Sequence, residues 1–497
     1  MEINVGNDEA HSGKSKRFVD CGQSARCAKM MLTVMRAGDT GWGNLDMDFL
    51  RDYRFEERML DMNWEAFPDT IKTRAKMCSI DLCGALMLGT FSGQARVGRK
   101  MARMLHLHTG ELPAVGSRDR YNLLGAAMVM GHESNAFDID DGYNMIKGHP
   151  GTSFVAGLYA GAAQAGATYT QFLSALTACY EGTIRWALAM QDHYGYLHST
   201  GAYGAFGTAL AIGKLLGYNR EKLNRALSAA DYHAPMTPVM RAVEFPSMNK
   251  DGAAYGAMTG TIAALEADCG ATARTHLLEL SGYRRYTESL GHKWYIEDLY
   301  FKPFTCCRWA HQPILAVQTL MREHGFIWQD VEKATVHTFR SAALLSKKRP
   351  DDSEEAQYNI AFPVAAAFVY GDVGYLQIRD EAVKDPAVLA MMQRLEFVID
   401  PDMEKEFPQK RLAWIEVKLS DGRLLSSQVY AAPGEHTVPQ LNLDWIIRKF
   451  KRVTAPVTDG ASQEMILDLL LGNEKRDMQI TQLIECINNS MQIPPEG

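Results

Sequence analysis

The sequence predicts a mainly α protein: a large all-helical domain, with a smaller α+β lid domain inserted before the C-terminal helices. Three observations predict it. Ala- and Gly-rich apolar segments broken by Gly, His and Pro fill positions 123 to 267, with few alternating runs among them. Alternating apolar and polar residues gather instead after Trp294, in VEKATVHTF, LEFVID and LAWIEVKLSDGRLLSSQVY. Helical spacing then returns in NLDWIIRKFKRVT and EMILDLLLGNEKRDMQITQLIECI.

In chain order, residues 1–50 show no sustained periodicity and read as an N-terminal extension, and 51–289 form the first part of the helical domain. There Ile71, Ala75, Met77, Ile80, Leu82, Ala85, Leu86 and Leu88 recur at three-to-four spacing behind a start signal at Pro68-Asp69. From Pro150 to Tyr180 no residue is charged, yet Gly, Ala, Thr and Gln interrupt the apolar run. It therefore reads as a buried helical hairpin rather than a membrane span. Gly252, Gly256 and Gly260 fall at every fourth position, and Gly157 and Gly161 repeat the interval. Each costs a helix about 1 kcal/mol, so close helix packing is expected to offset them. Residues 290–440 form the lid, where Asp421-Gly422 is a hairpin signal, and 441–497 supply helices that rejoin the first domain.

The 52 basic and 59 acidic residues leave a net charge of -7 with no long basic run, which argues against nucleic acid as a partner. Nine cysteines, an odd number in a long chain, form no disulfide framework and suit a reducing compartment. The polar start, MEINVGNDEAHSGKSKRF, has no apolar segment of a secretory signal. A cytoplasmic protein without a membrane partner is expected.

The chemistry is expected to begin in AFDIDDGYNMIKGHPG. A Ca²⁺ loop of EF-hand type needs Gly at its sixth position and Glu at its twelfth; here Gly142 comes too early and His149 stands twelfth from Asp138. A helical reading puts Asp138 and Asp141 on one face and turns Asp140 away. His149-Pro150 then opens an uncharged helix, whose first amides, at Gly151 and Thr152, lie beside the histidine and suit an anion. His198 again precedes a small-residue turn and an apolar helix. FKPFTCCRWAHQPI sets Lys302, Arg308 and His311 around Cys306 and Cys307, whose adjacency is not a metal-binding spacing, so both read as packing residues. From the residues alone three readings stay open: a proton-transfer site, a metal site of Asp138, Asp141, His149 and His198, or a structural turn.

Five segments in one order go further. Asp138-Ile-Asp-Asp with His149-Pro-Gly, the His198 turn with GAFGTALAIGKLLG, MNKDGAAYGAMTGTIAALEA, KPFTCCRWAHQPI and NIAFPVAAAFVYGD resemble the MmgE/PrpD family, from about Asp61 to Phe450. The resemblance implies a helical domain with a lid, a homodimer, and a site in the cleft between them that works without metal or organic cofactor. It implies a lyase for a small polycarboxylate, a dehydratase or decarboxylase of the 2-methylcitrate or cis-aconitate type. The alternatives are an epimerase of a dicarboxylate such as iminodisuccinate, a metal-dependent lyase, or a non-catalytic member. Asp138, His149 and His198 would be catalytic; Lys250, Lys302, Arg308 and the amides of Gly151 and Thr152 would hold substrate. The chain departs from the family's pattern at Gly142, where many members carry Thr or Tyr and Tyr143 could substitute, at Asn249, which displaces the lysine to Lys250, and at Phe304 in place of Tyr.

Overall fold

The computed structural model describes residues 53–472 and 478–494; the expected N-terminal extension lies outside them. We number the helices of ten residues or more. The first eight are α1 (Asp69–Gly89), α2 (Gly93–Met104), α3 (Leu123–Ser134), α4 (Pro150–Ala165), α5 (Tyr169–Tyr194), α6 (Thr200–Leu215), α7 (Arg220–Tyr232) and α8 (Ala253–Asp268). Their ends follow local rules: the side chains of Ser92, Asn122 and Asn219 each accept from the amide three residues on. The uncharged stretch is a helical hairpin, as expected. Gly166 at φ +61 ends α4, and Thr168 with Gln171 forms a capping box that starts α5. Among the described residues no helix is long and apolar enough to cross a membrane.

The glycine spacing positions the site. A Cβ on Gly256 would stand 2.5 Å from the Gly201 carbonyl oxygen, and one on Gly260 2.3 Å from that of Ala205. Only glycines let α8 lie this close on α6, and the contact brings the loop before α8 to the start of α6, where the Gly201 amide donates to Asp251 O at 2.7 Å.

Beyond residue 300 the chain builds a sheet. Its strands are β1 (Val331–Thr338), β2 (Leu395–Ile399), β3 (Leu412–Leu419), β4 (Leu424–Ser426) and β5 (Tyr430–Ala431), in the order β2-β1-β3-β4, with β5 beside the start of β3. β1 and β2 run parallel with Val336 opposite Phe397, and β1 and β3 run antiparallel with Val336 opposite Ile415. The hairpin read from Asp421-Gly422 joins β3 to β4, with Gly422 at φ +90. Helices α9 (His311–His324) and α10 (Ala361–Tyr370) pack on this unit, and α11 (Leu443–Thr454), α12 (Gly460–Gly472) and α13 (Ile480–Asn489) follow it.

Among the described residues two large hydrophobic cores result, beside a small cluster of Phe339, Ala342, Leu345 and Ile360. One runs from Tyr53 to Phe301 and takes in Ile446 to Met491; the other runs from Phe304 to Leu419. The chain passes from one core to the other between Phe301 and Phe304, and Lys302 sits on that crossing.

Candidate active site

The loop between α3 and α4 is not helical. Asp138 sits at φ +51, a conformation that Asp tolerates better than most residues and that aims its carboxylate at the N-terminus of α4. There His149 precedes the first turn of α4, its amide donating to the Tyr203 hydroxyl at 2.9 Å. Its Nε2 lies 3.3 Å from Asp138 Oδ1 and 3.7 Å from Asp251 Oδ2. Its Nδ1 lies 3.0 Å from Asp140 Oδ2 and 2.8 Å from the Asp141 carbonyl oxygen.

This corrects the expected sorting of the aspartates. With no helix to fix the faces, Asp140 turns toward the histidine, while the Asp141 carboxylate turns away to accept from the Tyr180 hydroxyl and the Gly151 amide. The Gly151 amide is therefore taken up by Asp141 at 3.0 Å rather than presented to a ligand. Thr152 is buried beside it, and its hydroxyl oxygen has no hydrogen-bond partner among the described residues.

Cations enclose the cluster from three parts of the chain. Lys302 Nζ lies 2.5 Å from Asp138 Oδ2, both side chains buried. Lys250, at φ +43, donates to Gln357 Oε1 at 2.5 Å and to Ala136 O at 3.3 Å, and lies 5.5 Å from the centre of the Tyr358 ring. Asn249, by contrast, is exposed, so the displaced lysine reaches the site. Lys449 of α11 binds Asp81 and donates to Ile139 O at 2.5 Å, tying the C-terminal helices to the aspartate loop.

Burial sets the protonation states. It works against a charged His149, but the Asp140 carboxylate and its contact outweigh that and push the imidazole up to about 10. Burial would also raise Asp140, and the His149 and Lys302 charges hold it below its ordinary value. Asp141, without such a partner, is pushed up to about 7 by burial. At neutral pH His149 is an imidazolium locked between carboxylates.

His198 has the opposite environment. It is buried against the rings of Tyr194 and Tyr196, and burial lowers its pKa to about 4 against an opposing contact with the Tyr196 backbone. It does not touch His149; Thr200, two residues on, approaches the His149 amide at 3.4 Å and donates to Asp251 Oδ2 at 3.2 Å. Ser199, Arg241, Asn249, Lys250 and Gly252 line a cavity of about 600 Å³, and Lys250 is the cation of the cluster that stands on its wall.

Arg308 stands apart from Lys302, stacked 3.4 Å over the Tyr300 ring and paired with Glu435. Gly142 has a spatial reason: a Cβ there would meet the Tyr300 hydroxyl at 2.2 Å, and the two residues exchange both backbone hydrogen bonds at 3.0 Å. Tyr300, not Tyr143, fills the place of a side chain at 142; Tyr143 packs edge-on against Tyr295. Phe304 lies in the second core against His311 and offers no donor. Cys306 and Cys307 are packing residues as read, the Cys307 thiol pushed up to about 11 by burial.

Donor atoms of Asp138, Asp140 and His149 lie within 4.8 Å of one another, near enough to share a cation. A metal would need a deprotonated His149 and an Asp138 free of Lys302. Lys302 and the imidazolium proton already supply that positive charge.

The MmgE/PrpD N-terminal domain matches residues 55–287, and the MmgE/PrpD C-terminal domain matches residues 304–473. The chain belongs to the MmgE/PrpD family. Among curated MmgE/PrpD-type relatives, a cis-aconitate decarboxylase of Aspergillus terreus (strain NIH 2624 / FGSC A1156) is 24% identical over 330 residues, 60% of this chain and 66% of that protein. A cis-aconitate decarboxylase-like protein of Aspergillus oryzae is 23% identical over 424 residues, 77% of this chain and 86% of its own. The chain thus spans about two thirds of the length of the Aspergillus terreus relative.

Proposed function

We propose that this MmgE/PrpD protein is a lyase for a small polycarboxylate, decarboxylating or dehydrating an acid of the cis-aconitate or 2-methylcitrate type by proton transfer from His149. The observation that carries this reading is the imidazolium held between Asp138 and Asp140 with Lys302 and Lys250 beside it. Loss of CO₂ leaves an electron pair on the carbon, delocalised into the remaining carboxylate, and preorganised ammonium groups stabilise that charge by several kcal/mol. The imidazolium proton then goes to carbon, and solvent restores it. In a dehydration the same proton leaves with the hydroxyl, and a base removes a proton from the neighbouring carbon. His198, kept neutral by burial and next in the chain to Ser199 of the cavity wall, is the proposed acceptor.

Incubation of the purified protein with cis-aconitate, 2-methylcitrate and iminodisuccinate tests this. Release of CO₂ from the first, or a new double-bond absorbance from the second, is the expected result. Loss of chirality in the third alone would make the protein an epimerase, and silence on all three would overturn the reading. A metal-dependent lyase is the second reading, favoured by the spacing of Asp138, Asp140 and His149; stoichiometric metal in the active protein would support it.

A further inference from the structure

Across Tyr300 from Lys302, a second group of cations gathers. Arg308 Nη1 and Arg411 Nη1 both donate to the single amide oxygen of Asn144, at 2.8 and 3.0 Å, so two buried guanidinium groups converge on one acceptor. Lys147, three residues after Asn144 in the same loop, is half-buried at φ +53; burial first, then the charges of Arg411 and Arg308, pull its ammonium down to about 8. Among the described residues the one carboxylate paired with this group is Glu435, bonded to Arg308. Three cations against one carboxylate leave excess positive charge in a partly desolvated place, which is costly unless something neutralises it. Arg308 Nε is in addition buried with no hydrogen-bond partner among the described residues.

We propose that Lys147, Arg308 and Arg411 form an anion subsite that takes a substrate carboxylate remote from the reacting carbon. The inference rests on the polycarboxylate chemistry proposed above. Guanidinium groups suit it, because their fork of N–H donors matches the two oxygens of a carboxylate. Two connections tie the subsite to the reaction centre rather than to a separate effector. Tyr300 is a shared wall: Arg308 stacks on its ring, while its hydroxyl fills the space at Gly142, next to Asp141 in the aspartate loop. The segment that carries Asn144 and Lys147 also joins Asp141 to His149, and it is closed by the Tyr143 amide donating to Gly148 O at 3.0 Å. A carboxylate held there would fix the loop that presents the imidazolium.

Calorimetric titration of the full chain with two unreactive probes, propane-1,2,3-tricarboxylate and succinate, tests the subsite without relying on turnover. Arg411→Met and Lys147→Met should each weaken the tricarboxylate about tenfold, the loss of roughly one charge contact, and leave succinate within about twofold. Glu435→Gln should tighten the tricarboxylate, a gain that a misfolded variant could not produce. The proposal falls if the wild-type chain binds no tricarboxylate, or if the two probes respond alike in all variants. It falls equally if inorganic phosphate binds in an Arg411-dependent way without competing with the tricarboxylate, since the anion would then be a separate ligand. If the lyase assays are silent while the variants give the expected pattern, the subsite stands and the proposed reaction falls.

Discussion

His149→Gln is expected to lower kcat by about 10³-fold on the substrate identified, with KM changed by less than about threefold. Glutamine still donates a hydrogen bond toward Asp138, and Asp138 keeps Lys302 while Asp140 keeps its bond from Asn135 at 2.8 Å. The cradle for substrate therefore survives, and what disappears is a group able to hand over a proton. The loss should appear in single-turnover rates as well as in kcat. His198→Gln then sorts the reaction. A dehydration, which needs a proton acceptor, should lose nearly as much, whereas a decarboxylation, which needs only a donor, should lose far less. Near-normal turnover in both variants would remove the acid/base assignment altogether.

The second large effect is on stability. Lys302→Met removes the cation 2.5 Å from Asp138 and leaves that carboxylate buried with the more distant His149 as partner. Breaking a buried ion pair from one side costs about 3–5 kcal/mol, and because Lys302 lies at the crossing between the two cores the loss should show in their joint unfolding. The diagnostic comparison is the double variant Lys302→Met/Asp138→Asn. It should recover much of the denaturant midpoint, because no unpaired charge remains, but none of the activity. A single Lys302→Met chain as stable as the wild type would mean that the pair is not buried as described.

The mainly α class was legible because it rests on spacing, which a single sequence carries. The four-residue glycine interval in GAAYGAMTG reported the contact between α6 and α8, and Asp421-Gly422 reported the β3–β4 hairpin. The aspartate loop was misread for a definite reason. Face assignments need a regular element, and Asp138 at φ +51 breaks the helix on which the pairing of Asp138 with Asp141 depended. Asp251 and Gln357 were within reach of the reading, the first inside the quoted MNKDG and the second two residues before the NIAFP segment. Tyr300 and Lys449 were not: nothing local in EDLYFKP or IIRKFKR signals that a phenol fills the space at Gly142 or that a lysine of α11 holds Ile139 O. Such contacts are made by segments far apart in the chain.

The charge state of His149 is the centre of the account. Its folded pKa, pushed up to about 10, stands above the ordinary imidazole value of about 6.5. The resulting stabilisation is therefore fully present below about pH 6.5 and is lost as pH rises through about 10. Titration of the imidazole by ¹⁵N NMR on histidine-labelled protein, with His149→Gln to assign the resonance, measures this state directly. The predicted result is an imidazolium signature with both ring nitrogens protonated from pH 6 through pH 8.5, beside a His198 that stays neutral throughout. A His149 that is neutral at pH 7 would contradict the proton-donor role on which the proposed reaction rests.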